Sequence, residues 1–441
     1  LSHQAMRERA ARVVRRLRDA GHVAYFAGGC VRDMVMNILP KDYDVATSAT
    51  PQDVAGLFDR TIATGAQFGV MIVVTDGQNV EVATFRSDEE YADGRHPIRV
   101  EFSGEKEDAE RRDFTINGMF YDPIEERFID YVGGREDIRR GIIRTIGDPY
   151  QRFKEDRLRL IRAVRFSARY GYAIEEETRR ALVALAGGIT LVSAERVREE
   201  LVRILTEGPA RRGVELLHDT TLLAQILPEV AALEGVEQPA EFHPEGDVLT
   251  HTLVMLEHMR SPSPELAMAV LLHDVGKPHT LTRADRIRFH GHAPVGAQIA
   301  EEVCRRLRFS NKQTAQIVDL VGEHLKFMHV QEMRENKRKR LFRKENFAEH
   351  LELHRLDCLA SHGNLDNWEY CLRKLEEYRS EEIHPPRLLG GDDLIAMGYR
   401  PGPRFREILT AVEDAQLDGT ISTSDEAREL VKTRFPLESE S

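Results

Sequence analysis

The sequence predicts an α+β protein: a mixed helix-and-strand head with a small sheet, followed by a long helical body. Two observations carry that prediction. Strand-like runs at 22–26, 69–74, 80–85 and 127–131 are confined to the first third of the chain and are bounded by Gly, Asp or Pro. From Asp148 onwards the apolar residues fall at helical spacing, first Leu158, Ile161 and Val164, then Leu182 and Leu185, and strand signals vanish. A chain of 441 residues accommodates two to four domains at roughly 100–200 residues each. The composition shifts divide it into a head over 1–145, a helical neck over 146–210, a histidine-dense helical domain over 211–360 and a helical tail over 361–441.

Composition narrows the function class. With 31% charged and 41% hydrophobic residues, the chain is neither collagen-like nor wholly disordered. No stretch approaches the roughly 18 uncharged apolar residues of a membrane span, because even 266–272 stops at His273-Asp274, so no membrane partner is expected. The first 18 residues are charged and helix-patterned rather than a secretory signal. Four cysteines without a CxxC pair read as reduced thiols of a cytoplasmic protein. A formal net charge of -12 speaks against a wholesale nucleic-acid coat and leaves room for a local basic groove.

In the head, Gly28-Gly29 ends a predicted strand and opens a helical run, where bare backbone N–H groups can approach a phosphate and Arg32 can add a charge. Asp42 and Asp44, two apart in an extended segment, project to one face. Paired carboxylates repel unless a cation joins them, and oxygen ligands of this kind suit Mg²⁺ shared with substrate phosphates. Glu81 is the third carboxylate of this set. Arg111-Arg112-Asp113 offers two guanidinium forks for triphosphate oxygens and a carboxylate for a ribose hydroxyl. Asp156 and Arg159 are expected on one helix, three apart and therefore on one face, with Arg162 and Arg165 continuing the stripe. An acceptor beside a donor matches the edge of cytosine or adenine and rejects guanine and uracil.

These motifs, in this order and spacing over about residues 20–205, resemble those of bacterial tRNA nucleotidyltransferases, the class II CCA-adding enzymes and the related poly(A) polymerases. The segment around Asp93, Gly94 and Arg95 looks like that family's flexible loop, and Ser193-Ala194-Glu195-Arg196 like its last motif. The resemblance implies a polymerase-β-like head in which Asp42 and Asp44 hold two metal ions. It assigns Gly28, Gly29, Arg32 and Arg112 to the triphosphate, Asp113 to the ribose, and Asp156 with Arg159 to a protein template for CTP and ATP, Arg162 and Arg165 standing nearby. The implied activity is template-free addition of CMP and AMP to tRNA 3′ ends. The Asp93-Gly94-Arg95 loop favours an enzyme that reaches the A-adding state. An A-adding or CC-adding specialist and a poly(A) polymerase are the alternatives within the family.

The helical body holds His251, His273-Asp274 and Asp357, a set of imidazoles and carboxylates suited to a divalent transition metal or Mg²⁺. His290, His292 and His324 fall between them, as cavity-lining or phosphate-binding residues. The order H…HD…D resembles that of HD-domain metal-dependent phosphohydrolases. It implies a second hydrolytic site, or a chain whose main activity is hydrolysis with an RNA-binding head. Finally, Lys337, Arg338, Lys339 and Arg340 lie in a basic run from Arg334 to Lys344, either a solvated helix or a local tether for RNA phosphates.

Overall fold

Two units make up the computed structural model, which describes residues 2–65, 69–91, 97–239, 241, 243–283, 286–378 and 383–437. One comprises Leu1–Ala232 with Arg305–Phe309, the other Leu233–Cys304 with Ser310–Ser441. Residues 211–232, grouped above with the histidine-dense domain, therefore lie in the first unit.

The first unit is built on β1 (Ala24–Ala27), β2 (Asp44–Thr47), β3 (Thr61–Gly65), β4 (Val70–Thr75) and β5 (Gln78–Thr84), a separate hairpin of β6 (Arg86–Tyr91) and β7 (Pro97–Phe102), then β8 (Met119–Asp122) and β9 (Arg127–Asp130). Seven of these strands form one sheet in the order β3-β4-β5-β2-β1-β8-β9, antiparallel throughout except for the parallel pair β2 and β5. This is the small mixed sheet the sequence predicts. Strand alternation divides the side chains between two cores. Phe26, Val45 and Val82 pack with Val13, Val14 and Leu17 of helix α1 (His3–Asp19). Tyr25, Ala27, Ala46 and Phe120 line the other face.

Four more helices belong to the head: α2 (Gly29–Val35), α3 (Pro51–Leu57), α4 (Glu105–Glu110) and α5 (Gly134–Arg140). The chain then turns helical, as its spacing predicts, through α6 (Pro149–Glu155), α7 (Leu158–Tyr170), α8 (Glu176–Leu185), α9 (Ala194–Thr206) and α10 (Ala210–Asp219), with α7, α9 and α10 packed together. The apolar face of α7 is fully buried at Leu160, Ile161 and Val164, which fixes where its arginines point.

The second unit holds α11 (Val248–His258), α12 (Pro264–Leu272), α13 (His292–Arg306), α14 (Asn311–Glu323), α15 (Glu335–Phe342) and α16 (Phe347–Ala360); α11, α14 and α16 pack on α12, and Leu341 and Phe342 of α15 join Phe347 and Leu351 of α16 in a separate core. Every residue of Leu266–Leu272 in α12 is buried, which explains its unbroken apolar run. The tail adds α17 (Pro403–Leu417) and α18 (Ser424–Arg434), joined by Ile408, Val412 and Val431 in a core of their own. No helix among the described residues is long and apolar enough to cross a membrane.

Candidate functional site

Strand register assembles the head carboxylates. Ala27 of β1 lies opposite Asp44, and Val45 of β2 opposite Val82, so Asp44 stands between the Gly28 turn and Glu81. Tyr43, Val45 and Val82 face the α1 core, and alternation turns Asp42, Asp44 and Glu81 to the opposite face. The three repel one another. Burial and the charges of Glu81 and Asp42 push the Asp44 carboxyl up to about 7. Glu81 is pushed up by burial and by Asp42. The guanidinium that acts on Asp44, that of Arg112, is itself held by Asp108. An acidic face with this much mutual repulsion fits hard divalent cations.

At the adjoining turn, Gly28 has φ 71° and ψ −130°, a conformation open to glycine. A Cβ there would lie 3.3 Å from Arg112 Nη1, and one on Gly29 3.4 Å from Arg32 Nη2, so both guanidinium groups flank the turn. Arg112 is fixed by Nε and Nη2 donating to Asp108 Oδ2 at 3.2 and 2.9 Å, and Asp108 also accepts from Arg111 Nε at 2.9 Å. Arg32 differs from a free phosphate ligand. It is buried, donating to Asp33 Oδ1 at 2.9 and 2.7 Å and to Asn117 Oδ1 at 2.7 Å, over the rings of Phe166 and Tyr170. Through these contacts it ties α2 to α7.

The expected single helix carrying Asp156 and Arg159 is corrected. The backbone is extended at Asp156 (φ −138°, ψ 104°), separating α6 from α7. Its Oδ1 accepts from Leu158 N at 3.1 Å, so this short acidic side chain starts a new helix instead of continuing the old one. Arg196 of α9 grips Asp156 through Nη2–Oδ2 at 3.1 Å and Nη1–Oδ1 at 3.4 Å. Arg159 donates to Glu155 Oε2 at 3.0 Å and to the carbonyls of Arg152 and Arg111. Asp113 accepts from Arg162 at 2.9 and 2.5 Å and from Asn117. Burial alone would raise its carboxyl, but Arg162 and Asn117 hold it well below the usual range. Glu200, buried, accepts from Arg165 Nε at 2.5 Å and lies 3.8 Å from Arg162. Sequence reasoning missed Asp108, Asn117 and Glu200; one polar side chain in a charged helix or a short turn carries no signal distinguishing it from a solvated one.

Among the described residues, the four groups of three His, Asp or Glu ligand atoms lying within 4.8 Å of one another all fall in the second unit. His273-Asp274 ends α12, and His251 enters from α11 and Asp357 from α16. His251 Nε2 lies 3.1 Å from Asp357 Oδ1, and His273 Nε2 3.1 Å from Asp274 Oδ2. Both Nε2 atoms are buried and without a hydrogen-bond partner, while each Nδ1 is anchored, to Glu245 at 2.6 Å and to the Val270 carbonyl at 2.8 Å. Imidazoles anchored at Nδ1, with Nε2 turned inwards to the carboxylates of Asp357 and Asp274, fit a metal. Burial lowers His251, but Asp357 and Glu245 prevail and push it up to about 9. Lys277 Nζ sits 2.7 Å from Asp274 Oδ2 and donates to Gln238 at 2.6 Å. Two residues the sequence reading left without a fixed role complete the cluster: His292 Nε2 and His324 Nε2 lie 3.4 and 3.9 Å from Asp274 Oδ1. His290 is not in any of those ligand groups. The fourth group, Asp319, Glu323 and His350, already encloses the ammonium of Lys344.

The loop residues Asp93, Gly94 and Arg95 lie outside the described residues. The basic run, read above as either a solvated helix or a tether for RNA, is largely paired: Arg338 pairs with Glu335, Lys339 donates to the Leu417 carbonyl and Arg340 pairs with Glu413 and Asp414, fastening α15 to α17, while Lys337 is exposed.

Sheet, carboxylate face, glycine turn and helical neck together give the first unit the architecture of the nucleotidyltransferase class. Residues 24–144 match the family model of the poly A polymerase head domain, 171–233 that of the probable RNA and SrmB-binding site of polymerase A, and 248–360 that of the HD domain. The chain is 30% identical to the CCA-adding enzyme of Bacillus stearothermophilus, solved in complex with CTP; the match covers 96% of this chain and 97% of that one, with a TM-score of 0.73. The chain belongs to the CCA-adding enzyme family. The CCA-adding enzyme of Geobacillus sp. (strain WCH70) is 43% identical over 217 residues, 49% of this chain and 53% of the relative, so the match spans about half the length of that curated relative. The Thermotoga maritima CCA-adding enzyme complexed with tRNA-CCA shares the fold, at 19% identity over 96% of this chain and 94% of that one, with a TM-score of 0.57.

Proposed function

We propose that this chain adds CMP and AMP, taken from CTP and ATP, to the 3′ end of tRNA without a nucleic-acid template. The observation that carries the reading is the placement of Asp42, Asp44 and Glu81 on one sheet face beside the Gly28 turn and Arg112. Asp42 and Asp44 would hold Mg²⁺, which would supply Lewis acidity as the RNA 3′-oxygen bonds to Pα and pyrophosphate leaves. Arg112, preset by Asp108, neutralises triphosphate oxygens at the glycine turn. Arg32 keeps that turn in place through Asn117 and Asp33. Asp113 receives the ribose at the carboxylate edge that Arg162 orients. Asp156, steadied by Arg196, accepts from the exocyclic amine of cytosine or adenine, and Arg159 donates to the ring nitrogen. Arg165, held on Glu200, keeps α7 and α9 in register behind that template. The four cysteines, all free and buried, support a reducing compartment, the cytoplasm. The test is incorporation from each nucleoside triphosphate singly into tRNA lacking CCA: CTP alone should extend the RNA, and GTP and UTP should not.

The second unit supports a second reading beside the first. His251, His273, Asp274 and Asp357 would hold a divalent metal, which would supply an activated water for hydrolysis of phosphate esters; in support, the inner nitrogens of His251 and His273 are buried and turned towards the carboxylates of Asp357 and Asp274. Loss of a bound transition metal on His273→Ala, read by elemental analysis, checks it.

A further inference from the structure

A single row of residues crosses the front of the head sheet, the face that carries Asp44, from the glycine turn to the sheet edge. Ala27 of β1 lies opposite Asp44 of β2, and the β2–β5 register, taken one step before Val45 and Val82, sets Asp44 beside Glu81. Glu81 lies opposite Ile72 of β4, and Ile72 opposite Ile62 of the edge strand β3. Directly paired residues share a face, so Asp44, Glu81, Ile72 and Ile62 all point to the front. Beyond the carboxylates the row is apolar.

Behind the sheet, Met71 and Val73 of β4 are sealed in the α1 core at 5% and 0% exposure. In front, Val70, Ile72 and Val74 are half-buried, and Ile62 is 43% exposed. Val74 N donates to the Arg60 carbonyl at 3.0 Å, which carries the β3–β4 ladder one residue further and turns Arg60 to the front as well. The Arg60 side chain is exposed and has no ion pair among the described residues.

The chemistry of the carboxylates points to what covers this face. In phosphoryl transfer the attacking and leaving oxygens lie roughly in line through the transferred phosphorus. The triphosphate, on the reading above, lies at the Gly28 turn beside Arg112, so pyrophosphate leaves towards the Ala27 end of the row. The attacking 3′-oxygen then reaches Asp44 and Glu81 from the other end, across β4 and β3. The edge strand lies two strand spacings, about 10 Å, beyond β5.

We propose that the front of β4 and β3 seats the unpaired 3′ end of the RNA being extended, with Ile72 and Ile62 under the terminal base and Arg60 on a backbone phosphate. The inference rests on the nucleotide-adding reading above and adds to it the seat of the second substrate. Apolar side chains take a base face without choosing among bases, and a guanidinium on phosphate fixes the strand's position.

The test follows CMP addition to tRNA lacking CCA, with RNA and CTP varied separately. Ile62→Ser and Arg60→Ala should each raise KM for the RNA by roughly tenfold and leave KM for CTP unchanged. Arg60→Ala should also lower the slope of log KM against log salt by about 0.7, the share of one phosphate on a single strand. Removing the base of the 3′-terminal nucleotide should weaken RNA binding to the parent, and Ile62→Ser should weaken it no further. A photoreactive p-benzoylphenylalanine placed at position 62 should crosslink to the terminal nucleotide, which checks the seat without removing apolar surface. A parent that adds no nucleotide overturns the activity reading and the seat with it. A parent that adds CMP while both variants keep its KM for RNA overturns the seat alone, as does a crosslink confined to the RNA interior. Loss of a dimer on Ile62→Ser in light scattering, with KM for RNA unchanged, assigns the face to a second copy of the chain and also overturns it.

Discussion

Asp156 and Arg196 form a two-pronged ion pair, Oδ2 to Nη2 at 3.1 Å and Oδ1 to Nη1 at 3.4 Å, across the break between α6 and α7. The pair ties the residue assigned to reading the base to a helix 40 positions further along the chain. On the proposed reading, the acceptor is held before any nucleotide arrives, which lowers the ordering cost of reading the base.

Asp156→Ala should therefore let GTP and UTP compete while slowing CTP and ATP, with a loss of about 1–3 kcal/mol in discrimination. Arg196→Ala should weaken the same discrimination by a smaller factor, and Arg196→Lys should restore part of it. The readout is kcat/KM for all four nucleotides. Equal slowing with unchanged ratios would show that Asp156 does not read the base.

Asp42→Ala and Asp44→Ala should each abolish nucleotide addition while the protein stays folded. The pair adds repulsion, not packing, to the sheet face, and burial with Glu81 and Asp42 already pushes Asp44 up to about 7. Circular dichroism with an incorporation assay in Mg²⁺ decides. Substantial incorporation by either variant contradicts the assignment of these carboxylates to the metals.

Much of this head was legible because period-two alternation needs nothing but adjacency: Asp42 and Asp44 straddle a Tyr43 that the core claims. The set His251, His273, Asp274 and Asp357 was legible by residue type and order. Three features were not. The helix break at Asp156 has no Pro or Gly to announce it; it depends on a side-chain cap and on Arg196 from another helix. The pairing of Arg340 with Glu413 joins residues 73 positions apart, so a run that reads as free positive charge is neutralised by distant partners. The orientation of His292 and His324 depends on backbone carbonyls three residues upstream, which no spacing rule predicts.

The two sites should separate by mutation, since the head carboxylates and the histidine cluster belong to different units. His273→Ala with Asp274→Ala should eliminate hydrolysis of 2′,3′-cyclic or terminal phosphate esters, assayed with Ni²⁺, Mn²⁺, Co²⁺ and Mg²⁺ in turn, and leave nucleotide addition near the wild-type rate. A folded double variant that cannot add nucleotides would show the sites to be coupled.

The cluster of Asp319, Lys344, Asn346 and His350 should behave as a structural ion pair rather than a metal site. Asp319 accepts from Lys344 at 2.7 and 3.0 Å, from Asn346 at 3.1 Å and pairs with His350 Nε2 at 2.8 Å. Burial raises its carboxyl, and these bonds hold it well below the usual range. A depressed carboxyl contributes stability above its unfolded value of about 3.9, and that contribution is lost as pH falls towards the folded value. Asp319→Asn should thus lower Tm at pH 7, the gap should narrow below about pH 4, and chelator should leave it unchanged. A gap that chelator removes would point to a bound ion instead.

The central claim is tested most directly by the products formed on three RNAs: tRNA lacking CCA, tRNA ending in CC, and an unstructured RNA, each with CTP and ATP singly and together. The account predicts that CTP alone adds two residues to the first, that ATP alone adds one to the second, that both together complete CCA and stop, and that the unstructured RNA is extended poorly. Long homopolymeric adenosine tails on all three RNAs, with no use of CTP, would contradict it.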